Sequence, residues 1–395
     1  MKVVAKTIVA ASLLSVVFSP ATLAQNSNDS QIFDGEERVD AAGQPAISYF
    51  LAGDKDKPLI VFIPGAAHSA RIAYGGHEGA NKEDFIAHWL QDRGFNFLGV
   101  SYPVDTESGL FNEDHPEFTV REWGRQAMEI AQNEIEEHDL TGKVIVIGWS
   151  MAGKIPQSAY EAAQELGVPF DFYVSFVATP AIPGMSSLTR TFEMADNGYG
   201  DRSSSADDWV EQLATNNDFN GHVIIPEDIY RSQYIGNMSV GLEGVEQRYR
   251  DGEFVKDWEE GLEDNGAFQF GDFPLVAMVL NDSRADPRHA IVDKAAWSFY
   301  NANTVYHRYV TNNDLDLSAL TDAQWQSVLD LTRTAPERLS LEVPGNHFFF
   351  VGEDGARAAA GVVDDLVDRV HAWRTDVETA LNIDIEPVQR TEAEE

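Results

Sequence analysis

The segment Gly148-Trp149-Ser150-Met151-Ala152-Gly153 sets a serine where a continuous apolar run gives way to a helical pattern. A serine on a sharp strand-to-helix turn is pushed out of the sheet, where a base can reach its hydroxyl. Such a turn is crowded, so the residues two before and two after the serine must be small. Here they are Gly148 and Ala152. Glycine is usual at the second of these positions, and alanine is small enough to keep the turn. The helix that follows lends its first N–H groups and its dipole to an anionic intermediate. The same letters also arise by chance in loops. The flanking strand and helix are what make Ser150 a candidate nucleophile.

A nucleophile of this kind needs donors, a base and an acid. Ile63-Pro64-Gly65-Ala66-Ala67-His68 closes an earlier apolar run. Acyl transfer needs two backbone N–H groups aimed at the developing oxyanion. Met151 supplies one and Ala66 the other, with Ala67 in reserve. His68 either hydrogen-bonds near the pocket or is simply structural. The base must come late in the chain, after the last strand, and Val343-Pro344-Gly345-Asn346-His347-Phe348 offers His347. His88 and His371 fall inside predicted helices and His138 ends one. The acid should follow the preceding strand, in Asn281-Asp282-Ser283-Arg284-Ala285-Asp286-Pro287. Asp282 and Asp286 both qualify, and the Asp-Pro turn favours Asp286. Helical material at 288–338 fills the long interval to His347.

The elements that must hold these residues can be read from periodicity. Apolar runs at 59–63, 95–102, 143–148, 170–177, 275–280 and 339–343 suit strands buried on both faces of a parallel sheet. An alternating stretch at 45–53 suits a strand as well. Helical spacing appears at 82–93, 119–135, 154–166, 291–309, 321–334 and 356–381, with Thr119 and Glu122 spaced as a capping box. Strand and helix alternate, which predicts an α/β fold with a doubly wound, mostly parallel sheet. The alternation breaks at 185–273, a polar, aromatic-dotted stretch that reads as an inserted, largely helical cap. The core is then 25–184 and 274–382, with an acidic tail at 383–395.

Lys2 and Lys6, an apolar stretch at 8–18 and Thr22-Leu23-Ala24 have the order of a secretory signal peptide at 1–24, cut after Ala24. The alternative is an uncleaved anchor, although the stretch is short for a bilayer. A periplasmic or secreted location follows. Cysteine is absent, which excludes disulfides, thiolate metal sites and a cysteine nucleophile. The net charge of −37 repels nucleic acid and anionic membranes. The excess reads as a solvated surface, because nothing gathers the acids into one cleft for cationic substrates. Phosphate loops, dinucleotide fingerprints and HExxH are missing, and Asp314-Leu315-Asp316 lacks the rest of a calcium loop.

The elbow, the order Ser, Asp, His and the alternation over about 45–184 and 274–381 resemble the α/β-hydrolase superfamily. The resemblance implies a Ser150–Asp286–His347 triad, an oxyanion hole from Ala66 and Met151, and neither cofactor nor metal. It implies hydrolysis of a small-molecule carboxylic ester through an acyl-enzyme. The alternatives are amide, lactone or thioester hydrolysis, a cofactor-free perhydrolase or haloperoxidase-like activity, or a binding protein on the same scaffold. Dehalogenases and epoxide hydrolases of the superfamily carry Asp where this chain has Ser150. The aromatics of the insertion suggest an apolar acyl or alcohol pocket.

Overall fold

A computed structural model describes residues 32–185 and 191–383. The expected signal peptide and the acidic tail beyond residue 383 lie outside the described residues. Eight strands form one sheet: β1 (Glu36–Ala41), β2 (Gln44–Leu51), β3 (Leu59–Ile63), β4 (Asn96–Ser101), β5 (Val144–Trp149), β6 (Phe170–Phe176), β7 (Val276–Leu280) and β8 (Ser340–Glu342). Their order across the sheet is β1-β2-β4-β3-β5-β6-β7-β8. From β4 to β8 every pairing is parallel, while β2 runs antiparallel to both β1 and β4. All five residues of β3 and all six of β5 are buried, as runs apolar on both faces require. Each of their Val, Leu, Ile and Phe side chains contributes roughly 1.5–3 kcal/mol by leaving water.

The first strand was not expected. Four of the six residues of Glu36–Ala41 are charged, so it carries no period-2 apolar signal. A tight Ala42-Gly43 turn pairs it with β2, and β2 in turn pairs with β4.

Helices α1 (Ile86–Asp92), α2 (Val120–Glu137) and α3 (Pro156–Leu166) connect the first half of the sheet, and α4 (Ala206–Asn220) and α5 (Trp258–Asp264) belong to the insertion. Helices α6 (Pro287–Thr304), α7 (Asp322–Arg338) and α8 (Glu353–Leu381) complete the second half. Thr119 caps α2 through a reciprocal capping box with Glu122, and Val120, Trp123, Ala127 and Ile130 form its buried face. α1 is shorter than its periodicity suggests because the backbone is extended at Phe85, which breaks the pattern after a 3-10 turn.

The insertion is less helical than its composition suggests. Besides α4 and α5 it holds short strands at Gly236–Met238, Gln247–Arg250 and Glu253–Lys256. Gly236–Met238 pairs with Val104–Thr106, just beyond β4, which ties the insertion to the sheet's C-terminal edge. No described helix is long and apolar enough to cross a membrane.

Candidate active site

The parallel strands end on one side, and the candidate residues sit in the turns there. β5 ends at Trp149, and Ser150 opens a 3-10 turn, Ser150–Lys154, that leads into α3 with Pro156 at its start. Ser150 has φ 55°, a left-handed backbone that non-glycine residues adopt at a cost of order 1–3 kcal/mol. Ala67 after β3 (φ 61°) and Val177 after β6 (φ 40°) share that region. Three strained turns therefore surround one place.

Glycine is required at Gly148 because a side chain there would collide with the Tyr173 hydroxyl, which itself donates to Ala152 O at 3.0 Å. A Cβ on Gly65 would lie 2.7 Å from Ser150 Cβ. A side chain at Gly65 would therefore push on the serine directly, and one at Gly148 would displace Tyr173.

His347 follows β8. Its Nδ1 lies 2.8 Å from Asp286 Oδ2, and Asn281 Nδ2 donates to the same oxygen at 2.8 Å. A carboxylate only accepts, so Nδ1 carries the proton and Nε2 is left with a lone pair. Burial alone would raise the Asp286 carboxyl. The hydrogen bond and charge of His347 outweigh that and hold it down to about 2. Burial lowers the His347 imidazole below its ordinary value, and Asp286 opposes the shift. Asp282 has a different contact. Its Oδ1 accepts from Gly345 N–H at 3.1 Å and so anchors the loop rather than the ring.

That loop is pinned from two more sides. Trp149 Nε1 donates to His347 O at 2.9 Å. From α4 of the insertion, Gln212 Oε1 accepts from His347 N–H at 3.1 Å, and Asn216 Nδ2 donates to Phe348 O and Val351 O. Ser150 Oγ makes no hydrogen bond to His347, a contact that in such sites often forms fully only in the complex with substrate.

The two expected N–H donors line the same cavity as Ser150 and His347. Met151 stands in the first turn of a helix, where N–H groups have no intrahelical partner. Ala66 lies across from it after β3. Ala67 is removed from reserve, because its N–H points to Met238 Sδ at 3.1 Å. His68 is buried beside them. Its Nδ1 donates to Ala66 O at 2.7 Å, and its Nε2 accepts from Tyr230 O–H at 2.7 Å. Burial drives its pKa down to about 3, so it is neutral and holds the Ala66 peptide in place.

The cavity measures about 450 Å³. It is not the apolar pocket that the aromatics suggest. Tyr199, Tyr230 and Tyr234 are buried as packing, and Phe219, Trp258 and Phe268 face solvent. Trp209 lines the cavity, but with it come Lys154, Arg202, Arg288, Glu243 and His289. His289 forms a second pair with a carboxylate, Nδ1 to Asp293 Oδ2 at 2.8 Å, and its ring lies 5.2 Å from that of His347. Ligand atoms of Asp286, His289 and His347 come within 4.8 Å of one another, a spacing that could hold a metal ion. The fit is poor. Arg288 Nη2 sits 2.6 Å from His289 Nε2, which puts a cation where the metal would bind. His347 Nδ1 is committed to Asp286.

No protein-family model matches the sequence, and no curated protein matches it. Solved structures do superpose on it. A carboxyl esterase from Bacillus coagulans is 9% identical, covers 85% of this chain and 98% of its own, and gives a TM-score of 0.48. A lipase in its open form is 13% identical, covers 85% and 98%, and gives 0.46. A thermophilic esterase from Thermogutta terrifontis is 12% identical, covers 85% and 99%, and gives 0.45. Likenesses this distant carry no chemistry. The strand order, with the strained serine turn after β5, stands on its own. The chain has the α/β-hydrolase fold.

On this hydrolase fold, sequence reasoning missed several cavity residues. Arg288 and His289 directly follow Asp286-Pro287, and Lys154 comes four residues after Ser150, so nearness to the motifs was their one signal. Arg202 and Gln212 come from the insertion and had none, while Trp209 was one of the aromatics that suggested a pocket there.

Proposed function

We propose that this protein is a serine hydrolase that cleaves a carboxylic ester through an acyl-enzyme. Ser150 is the nucleophile, His347 the base and Asp286 the acid that orients it. The observation that carries the reading is Ser150, held at φ 55° on a strand-to-helix turn and lining one cavity with the Asp286-bound His347.

Ser150 Oγ attacks the ester carbonyl as His347 Nε2 takes its proton. Asp286 keeps the proton on Nδ1 and stabilises the imidazolium that forms. Met151 and Ala66 N–H groups face the oxyanion, each worth roughly 3 kcal/mol. The tetrahedral intermediate collapses, and the imidazolium protonates the departing alcohol. Water then attacks the acyl-Ser150 ester with His347 again as base, releasing the acid and the free serine. The insertion acts as a cap, since α4 both walls the cavity and holds the His347 loop. The order of charges and apolar residues at 1–24 supports export, with a mature chain starting near Gln25.

The test is labelling with a fluorophosphonate probe and turnover of p-nitrophenyl esters by the wild type and Ser150→Ala. The wild type is expected to label and turn over, and Ser150→Ala to do neither. Equal labelling in both would remove Ser150 from the chemistry. Amide, lactone and thioester panels then define the bond.

A further inference from the structure

The cavity's charges do not cancel where they stand. Among its carboxylates, Glu243 is taken by Arg202 in a buried ion pair at 2.7 Å. Asp286 is committed to His347 and Asn281. Asp208 stands exposed at the mouth. Two cations have no carboxylate partner among the described residues. Lys154 is buried, 2% exposed, and its ammonium donates to a single neutral acceptor, Pro180 O, at 3.1 Å. An ammonium has three protons to place, and a buried charge is costly unless it is paired. Burial lowers its pKa to about 8, with Glu243 working against that, so it still carries most of its charge near neutrality.

Arg288 stands at the rim. Its Nη2 donates to Thr179 Oγ1 at 2.7 Å and to His289 Nε2 at 2.6 Å, and its Nη1 donates to Met185 O at 3.3 Å. All three acceptors are neutral. The guanidinium is also aimed. Asp293 accepts from His289 Nδ1, which turns the His289 Nε2 lone pair toward Arg288. Arg288 keeps two further N–H groups for a ligand.

We infer that the substrate is an anionic ester, one that carries a carboxylate or similar oxyanion besides its scissile bond, bound by Lys154 in the cavity wall and Arg288 at the rim. This rests on the hydrolase reading above. The acidic surface does not oppose it, because charges more than about 8 Å away through water are screened at physiological salt.

The experiment compares matched esters. One pair places the anion on the acyl side: 4-nitrophenyl hydrogen glutarate against its methyl-capped diester. The other places it on the alcohol side: 4-acetoxybenzoate against its methyl ester. At least one anionic ester is expected to exceed its neutral partner in kcat/KM by about tenfold, the size of one charge-assisted hydrogen bond. Arg288→Gln, at an exposed position that folding tolerates, should bring that ratio close to one, chiefly through KM. Lys154→Gln should lower it as well if the variant folds. Independently of turnover, millimolar glutarate or benzoate should raise the Tm of Ser150→Ala, and the rise should vanish in Ser150→Ala/Arg288→Gln.

Neutral esters turned over at least as well as both anionic ones, with Ser150 labelled, would overturn the inference alone. No labelling and no turnover would overturn the hydrolase reading, and the Tm shift would still decide whether the cavity binds an anion.

Discussion

Two histidine–aspartate pairs stand side by side in this molecule, one in loops and one on a helix. His347 and Asp286 are 61 residues apart and meet because β7 and β8 end next to each other. His289 and Asp293 are one turn apart on α6 and meet by helical spacing alone. Both make a 2.8 Å hydrogen bond through Nδ1. They differ at the other nitrogen. His289 Nε2 is occupied by Arg288, whereas His347 Nε2 has no protein partner among the described residues. They differ in their carboxylates too. Asp286 is held down to about 2, while burial leaves Asp293 raised despite its histidine. A paired histidine is not yet a base. The loop pair is held by Trp149, Gln212 and Asp282 so that its second nitrogen stays open. The helix pair spends its second nitrogen on holding a cation.

The sharpest way to break this contrast is to delete the members of the loop pair's site. Ser150→Ala and His347→Ala should each lower kcat roughly 10⁴- to 10⁶-fold, and the double variant should be hardly worse, since the residues act as a unit. Steady-state ester hydrolysis measures this, and additive losses would mean that the two do not share a step. Asp286→Asn should cost about 10⁴-fold, because an amide no longer fixes the tautomer or stabilises imidazolium. Asp282→Asn keeps an oxygen to accept from Gly345 N–H and only weakens that anchor, so it should cost less than about tenfold, in line with one modest hydrogen bond. Comparable losses in the two variants would show that loop placement, rather than Asp286's charge, is what matters.

The pH profile tests the same site from its electrostatics. A base works deprotonated, so activity is lost as pH falls through its pKa. Burial lowers the His347 pKa, so the acid limb of kcat/KM should lie below the ordinary imidazole value of about 6.5. Asp286 pulls that pKa upward. In Asp286→Asn the residual activity should therefore persist to still lower pH. A limb above about 6.5 in the wild type would contradict the buried setting.

Why one pair was legible in the sequence and the other was not follows from the same geometry. Ser150 and Asp286 each follow a buried apolar run, and such runs are visible without a structure because both faces are apolar, whereas His347 follows the short edge strand β8, where Ser340 and the exposed Glu342 dilute that signal. The β1 strand was invisible since four of its six residues are charged and only Val39 and Ala41 are apolar, too few for a period-2 signal. The choice of Asp286 over Asp282 depends on which carboxylate faces the ring, and a turn dipeptide only hints at that. Arg202, Trp209 and Gln212 reach the cavity from an insertion that lacks regular alternation, so no period announces them. The aromatic residues misled for a physical reason. Aromatic content reports burial somewhere, and here, apart from Trp209, it serves the insertion's own packing and its exposed face rather than the cavity wall.

The smallest expected effect discriminates best, because it repeats one substitution in the other pair. Asp293→Asn keeps an oxygen to accept from His289 Nδ1 and removes a buried carboxylate whose Oδ1 has no partner among the described residues. Removing a charge that burial already disfavours should leave stability within about 1 kcal/mol, read by urea unfolding. No imidazolium needs to form on His289, since Arg288 blocks its Nε2. Turnover of a neutral ester should therefore fall by less than about fivefold, the size of one ordinary hydrogen bond. The ratio of anionic to neutral ester turnover should fall further than that, because His289 aims Arg288. A loss approaching that of Asp286→Asn on the neutral ester would mean that protons do pass through His289. The two pairs would then be one relay, and the division between base and anchor would fail.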